Sequence, residues 1–455
     1  MRVFAAILLL IAGLAPAAWA NQIQRVVSPG GIEAWLIQDQ SLPIIALSFS
    51  FAGGTSADPQ GKEGRANLAA ALLAEGAGPL DTAAFNKELA DLSIGMSFSA
   101  GTDRLVGGLQ TITANADRAF EMLTWAITDP LFDPAEVERT REQIATGIRR
   151  RVGRPGWLSR RAFFDIALPG HPYSRPSRGR IDSLGALTID DLRAYTAEQL
   201  VTSRLTVGVA GDISPEELGQ RLDQVFGSLP EGAPPKAIGY AQLRAGGRTV
   251  LVDHESPQSL LYLAQPGMSR EDPDYFAAVV MNHILGGGGF ASRLTQEVRE
   301  KRGLTYGISS SLTALDYADF LTISADVSNE NVLETLQVIR DEWDRMATEG
   351  ATQAEIDDAI AYITGSFPLL MTDSSAIAGL LHSLQVRGRP IDYLEIRNDL
   401  FQAVDREAVN RVAKRMLKSN SLVTVITGTP PDAVASDIVV NAAALTRREL
   451  GEDVN

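Results

Sequence analysis

The pattern of this 455-residue chain occurs twice. A β-rich run closed by a turn, LTVGVAGD (205–212), returns near the other end as LVTVITGT (422–429). Each is preceded by a segment with apolar residues at helical spacing, IDDLRAYTAEQL (189–200) and REAVNRVAKRML (406–417). Near the start of each repeat, LIQDQSLPIIALSFSFAGG (36–54) answers LVDHESPQSLLYLAQPG (251–267), and an Asp-Pro turn and an apolar helix follow both (Asp58-Pro59, Asp272-Pro273). An offset of a little over 210 residues is too long for a solenoid repeat and suits two homologous domains. Residues 230–247, PEGAPPKAIGYAQLRAGG, are rich in Pro, Gly and Ala without an apolar period. They place a linker at 236–247 between an N-terminal domain, 21–235, and a C-terminal domain, 248–455.

Within each half the predicted order is a strand pair, a long helix, strands, several helices and a strand. LSIGMSFSAG (92–101) and LVGGLQTI (105–112) alternate as a hairpin would, and ADRAFEMLTWAI (116–127) and NVLETLQVIRDEWDRMA (331–347) read as helices. The predicted class is α+β: in each half a mainly antiparallel sheet with helices packed on one face. Residues 1–20 form a different kind of segment, with Arg2, an apolar run and the small-x-small site Ala18-Trp19-Ala20. This pattern predicts a cleavable signal peptide rather than a membrane anchor, with Asn21 as the first mature residue. With no cysteine for a disulfide framework, the expected location is the bacterial periplasm. A formal net charge of −15 argues against nucleic acid as a partner.

The absence of cysteine also excludes thiol catalysis. The four histidines, His171, His254, His283 and His382, include no pair at a zinc-ligand spacing. His171, in GHPYSRP, reads as a loop residue between prolines, and His283, in VVMNHILGG, as a partly buried helix residue. Gly286, Gly287, Gly288 and Gly289 lack the Gly-Lys-Ser/Thr that would make a phosphate loop and suit a plain turn equally well. In ASRLTQEVREKRG, Leu294 and Val298 fall on one buried side, Gly303 ends the helix, and LTYGISSSL reads as a strand. By themselves, Tyr306 suits a strand core and Arg299 a solvated helix end.

Residues 53–78, GGTSADPQGKEGRANLAAALLAEGAG, resemble the first helix of the pitrilysin/insulinase family, the inverted-motif zinc peptidases, where H-x-x-E-H supplies two ligands and a general base. Those three positions hold Asn67, Ala70 and Ala71. VERTREQIATGIRRR (137–151) is similar to the helix of the third ligand, whose place falls at Gly147. The resemblance therefore implies no metal and no cofactor in this chain. It extends through 129–144, 183–195 and 352–371, and is closest at REKRGLTY (299–306). There it implies that Arg299 and Tyr306 reach a peptide substrate held at another chain's site, and that the glycine run lies beside that peptide. The implied function is the non-zinc subunit of a heterodimeric periplasmic metalloendopeptidase, one half of a clam-shell whose homologous partner bears the zinc. The alternatives are a structural or assembly subunit and a peptide-binding protein that does not cleave.

Overall fold

The structure, a computed structural model, describes residues 22–431 and 433–452; the predicted signal segment lies outside the described residues. Six strands make the first sheet: β1 (Gln24–Val27), β2 (Glu33–Gln38), β3 (Ile44–Ala52), β4 (Gly95–Ala100), β5 (Arg104–Ile112) and β6 (Leu205–Gly211). Six more make the second: β7 (Thr249–Asp253), β8 (Gln258–Pro266), β9 (Thr305–Ala314), β10 (Asp319–Ser328), β11 (Val423–Gly428) and β12 (Ile438–Asn441). Their spatial orders are β1-β2-β6-β3-β5-β4 and β12-β7-β11-β8-β10-β9. Leaving out β1 and β12, the two orders are the same, and both sheets are mainly antiparallel, as the α+β reading expects. The outermost position differs. In the first half an N-terminal strand runs antiparallel to β2, whereas in the second the C-terminal strand β12 runs parallel to β7.

Alternation along the strands decides what each face meets. On β3, Ile45, Leu47, Phe49 and Phe51 point to one side, into a core shared with Phe120 and Leu123 of the Ala116–Thr128 helix and with Phe226. The opposite side carries Ala46, Ser48 and Ser50 on β3 and Gly208 and Ala210 on β6, small residues without a charge. A helix from the other half covers it: Ser374–Val386 lies across β6, β3 and β2. It comes so close that a Cβ on Gly208 would sit 2.4 Å from the His382 amide nitrogen, which no larger residue tolerates. The exchange is mutual. The first half's Pro155–Ala167 helix lies on β11, β8 and β7, packing Leu158, Ala162 and Phe163 against Val250, Val252, Val423 and Val425. Each sheet is thus covered on both faces, by its own helices and by one from the other half.

A buried polar pair sits under each exchanged helix: His382 Nε2 with Ser50 Oγ at 2.7 Å, and Ser159 Oγ with Thr427 Oγ1 at 2.7 Å. Burial, and secondarily the charge of Arg104, lowers the His382 imidazole to about 4. The neutral ring is the folded form, so its contribution is complete above the unfolded value near 6.5 and is lost as pH falls through about 4. The loss is on the order of 3 kcal/mol at full protonation. Urea midpoints for the native chain and His382→Gln are expected to converge between pH 7 and pH 4 as the native chain weakens. A constant gap between them would mean that this imidazole does not titrate with folding.

Residues 228–248 carry neither helix nor strand but are fastened at several points. The Ala241 amide donates to the Tyr317 carbonyl at 2.8 Å, and the Arg244 amide to the Ala167 carbonyl at 2.8 Å. His171 accepts from the Tyr173 amide at Nδ1, which leaves Nε2–H to donate to the Gly239 carbonyl at 2.8 Å. His171 is therefore a loop residue with a tethering role.

Candidate functional site: a place without metal and a presented Arg/Tyr pair

The Arg65–Leu72 helix begins on a buried carboxylate. Asp58 Oδ2 accepts from the Gly64 amide and Oδ1 from the Ala66 amide, each at 3.0 Å, while burial pushes the group up to about 7 against these donors and Arg65. Within this helix Ala70 is buried in the core and Ala71 is exposed. Asn67 turns its Nδ2 to the Ser177 carbonyl at 2.8 Å. The Pro134–Arg151 helix packs alongside, as the third-ligand position requires, and presents Gly147. A Cβ at Gly147 would lie 3.6 Å from Nη1 of Arg178, so a guanidinium occupies the neighbourhood of the missing carboxylate. Two methyl groups, an amide engaged with a carbonyl and a nearby cation do not fit a zinc ion. Among the described residues no group of three His, Cys, Asp or Glu could hold a metal.

The second half is built differently at its corresponding edge. Leu294 and Val298 are fully buried, as their spacing predicts, but Thr295–Glu300 winds as a π-helix. A second π-helical turn, His283–Gly287, precedes it. Such turns are rare and recur at functional sites. The strand that follows, β9, is the outer strand of its sheet. Its register against β10 shifts: Ile308 faces Ala325 and Thr305 faces Val327, so Tyr306 and Gly307 together oppose the single residue Asp326. This is a β-bulge, held by Thr305 Oγ1, which donates to the Asp326 carbonyl at 2.6 Å. Its effect is to turn Tyr306 outward, 84% exposed, where a strand-core tyrosine would be buried.

Arg299 lies on the adjoining π-helix, partly exposed, with its guanidinium 4.6 Å from the ring centre of Phe290 and Nε 3.4 Å from Glu300. Phe290 is itself 62% exposed. The glycine run divides in two. Gly286 is buried, and a Cβ there would come within 2.6 Å of Ser310 Oγ on β9, so its glycine serves close packing. Gly287, Gly288 and Gly289 are at least partly open to solvent beside Phe290. His283 is half-buried, with its ring 5.1 Å from that of Tyr362, and burial lowers its basicity. Among the described residues no acidic group bonds to it as an orienting partner.

Two features escape the sequence. Tyr173 O–H donates to Asp103 at 2.5 Å and accepts from the Tyr317 amide at 3.0 Å, tying the two sheets through one phenol. Arg178 stands by Gly147 although 31 residues separate them. The only available signal was the arginine density of RRRVGRPGWLSRR (149–161) and SRPSRGR (174–180).

A family model described as the peptidase M16 inactive domain matches residues 186–363. An uncharacterized zinc protease of Streptomyces coelicolor is 30% identical over 266 residues, 57% of this chain and 58% of that relative, so the match spans a little over half of its length. A protein of Helicobacter pylori named a non-peptidase homolog is 22% identical over 86% of this chain and 90% of its own. The crystal structure of a peptidase M16 inactive domain from Pseudomonas fluorescens superposes with a TM-score of 0.84 at 29% identity, covering 92% of this chain and 100% of that one.

Proposed function

This chain belongs to the peptidase M16, or pitrilysin/insulinase, family in its zinc-less form, and from that premise we propose that it is the non-zinc subunit of a periplasmic heterodimeric metalloendopeptidase. The observation that carries the reading is Tyr306, bulged out of the edge strand that follows the Arg299 helix, in a chain whose Ala70, Ala71 and Gly147 offer a metal no side-chain ligand. A homologous partner would bring the zinc and its general base. From this chain's side, the Tyr306 O–H donates to the oxygen on which peptide hydrolysis develops negative charge. The Arg299 guanidinium grips a backbone carbonyl of the bound peptide. The open part of the glycine run, Gly287 to Gly289, and the exposed Phe290 lie beside that peptide.

The purified chain alone is expected to hold no stoichiometric zinc and to cleave no peptide. Metal analysis after purification in zinc-containing buffer, with a peptide-hydrolysis assay, checks this. One tightly held zinc per chain, with activity lost on chelation, would overturn the reading. Co-purification with an exported homologue bearing H-x-x-E-H, and peptidase activity only in the mixture, is the positive counterpart.

A further inference from the structure

A cleft of about 650 Å3 opens close to Gly147, between the end of the Pro134–Arg151 helix, the Pro155–Ala167 helix and the 171–179 loop. Six arginines line it: Arg151, Arg154, Arg160, Arg161, Arg175 and Arg178. Glu449 is its one acidic lining residue, and that carboxylate is buried and bonded to Arg448 at 3.2 Å. Such a concentration of cations is unexpected on a chain of net charge −15. Three of the six are engaged with protein acceptors: Arg160 Nε donates to the Gly156 carbonyl at 3.3 Å, Arg161 Nε to Asp165 at 3.1 Å, and Arg175 Nη2 to the Ser56 carbonyl at 3.0 Å. Arg151, Arg154 and Arg178 are exposed, and among the described residues none of them forms an ion pair. Partial desolvation, and after it the nearby charge of Arg151, lowers the basicity of Arg178. Trp157 and Phe164 supply an apolar wall.

We propose that this cleft binds a small ligand carrying two or more oxyanionic groups, carboxylate or phosphate. Guanidinium forks match both groups bidentately, and the volume is that of a small-molecule site. Gly147 offers no carboxylate and the Arg178 guanidinium stands beside it, so this place suits an anion rather than a cation.

The test is calorimetric titration of the full chain with two probes, inorganic tripolyphosphate and citrate, at low salt. At least one is expected to bind with a stoichiometry of one and to raise the melting temperature. Which of them binds more tightly identifies phosphate or carboxylate as the source. Arg151→Ala and Arg178→Ala, both at exposed positions, should each weaken binding about tenfold or more, the loss of one charge-assisted pair. Arg340→Ala, on a different helix, should leave binding unchanged. Failure of both probes to bind, or equal binding by a folded Arg151→Ala/Arg178→Ala double variant, would overturn the proposal.

Discussion

Tyr306→Phe in the proposed heterodimer is expected to lower kcat by on the order of 100-fold or more, with subunit association unchanged. The substitution removes one oxygen from a side chain that is 84% exposed and that makes no hydrogen bond among the described residues, so little of the fold should depend on it. On the proposed role, what disappears is a donor aimed at charge that exists only in the transition state, which would place the deficit in kcat. Arg299→Ala should raise KM as well, because a grip on the peptide backbone acts in ground and transition states alike. Some of its effect will come from Phe290, which loses the guanidinium stacked 4.6 Å from its ring centre. Kinetics on reconstituted complexes, together with thermal melts, separate these roles. Full activity from a stable Tyr306→Phe complex would remove the catalytic assignment and leave a structural or assembly subunit as the better account.

Phe163→Ala is expected to destabilise the chain by about 3–5 kcal/mol, the cost of emptying a large buried aromatic site. Phe163 is fully buried and meets the rings of Phe164, Tyr262 and Phe320 edge-on at 5.3, 5.2 and 6.1 Å. It lies on a first-half helix but packs on the second-half sheet, so the damage should not stay in one half. Hydrogen exchange is expected to quicken at β7, β8 and β11 as well as along Pro155–Ala167. A change confined to that helix would show that it docks loosely and that the halves are independent.

The two sheets were legible because strand alternation and turn residues are local signals, and the repeat displays each of them twice. The hairpin read from residues 92–112 appears as β4 and β5, paired from Gly95 opposite Gln110 to Ala100 opposite Leu105. The buried side of ASRLTQEVREKRG was legible for the same reason, although the π-helical winding of Thr295–Glu300 was not, since the apolar spacing of Leu294 and Val298 serves both windings. The bulge at Tyr306 had a faint signal in Gly307 directly after it, because glycine within a strand often marks such an irregularity. The exchanged helices also had a signal. The second face of β3 reads Ala46, Ser48, Ser50, small residues suited to close helix packing rather than the charges of a solvated face. Nothing local says which helix comes there.

By itself the sequence determined what cannot happen at the first helix, because Ala70, Ala71 and Gly147 have no side-chain donor atom and Asn67 offers only a weakly ligating amide. It also determined the doubled α+β plan, since the period of apolar residues follows from backbone geometry alone. Only the tertiary structure decided that Arg178 stands beside Gly147, that Tyr306 faces solvent, and that each half lends a helix to the other's sheet. These facts depend on pairings between residues tens to hundreds of positions apart. Such pairings are selected by how whole surfaces fit together, and no local pattern of side chains encodes them.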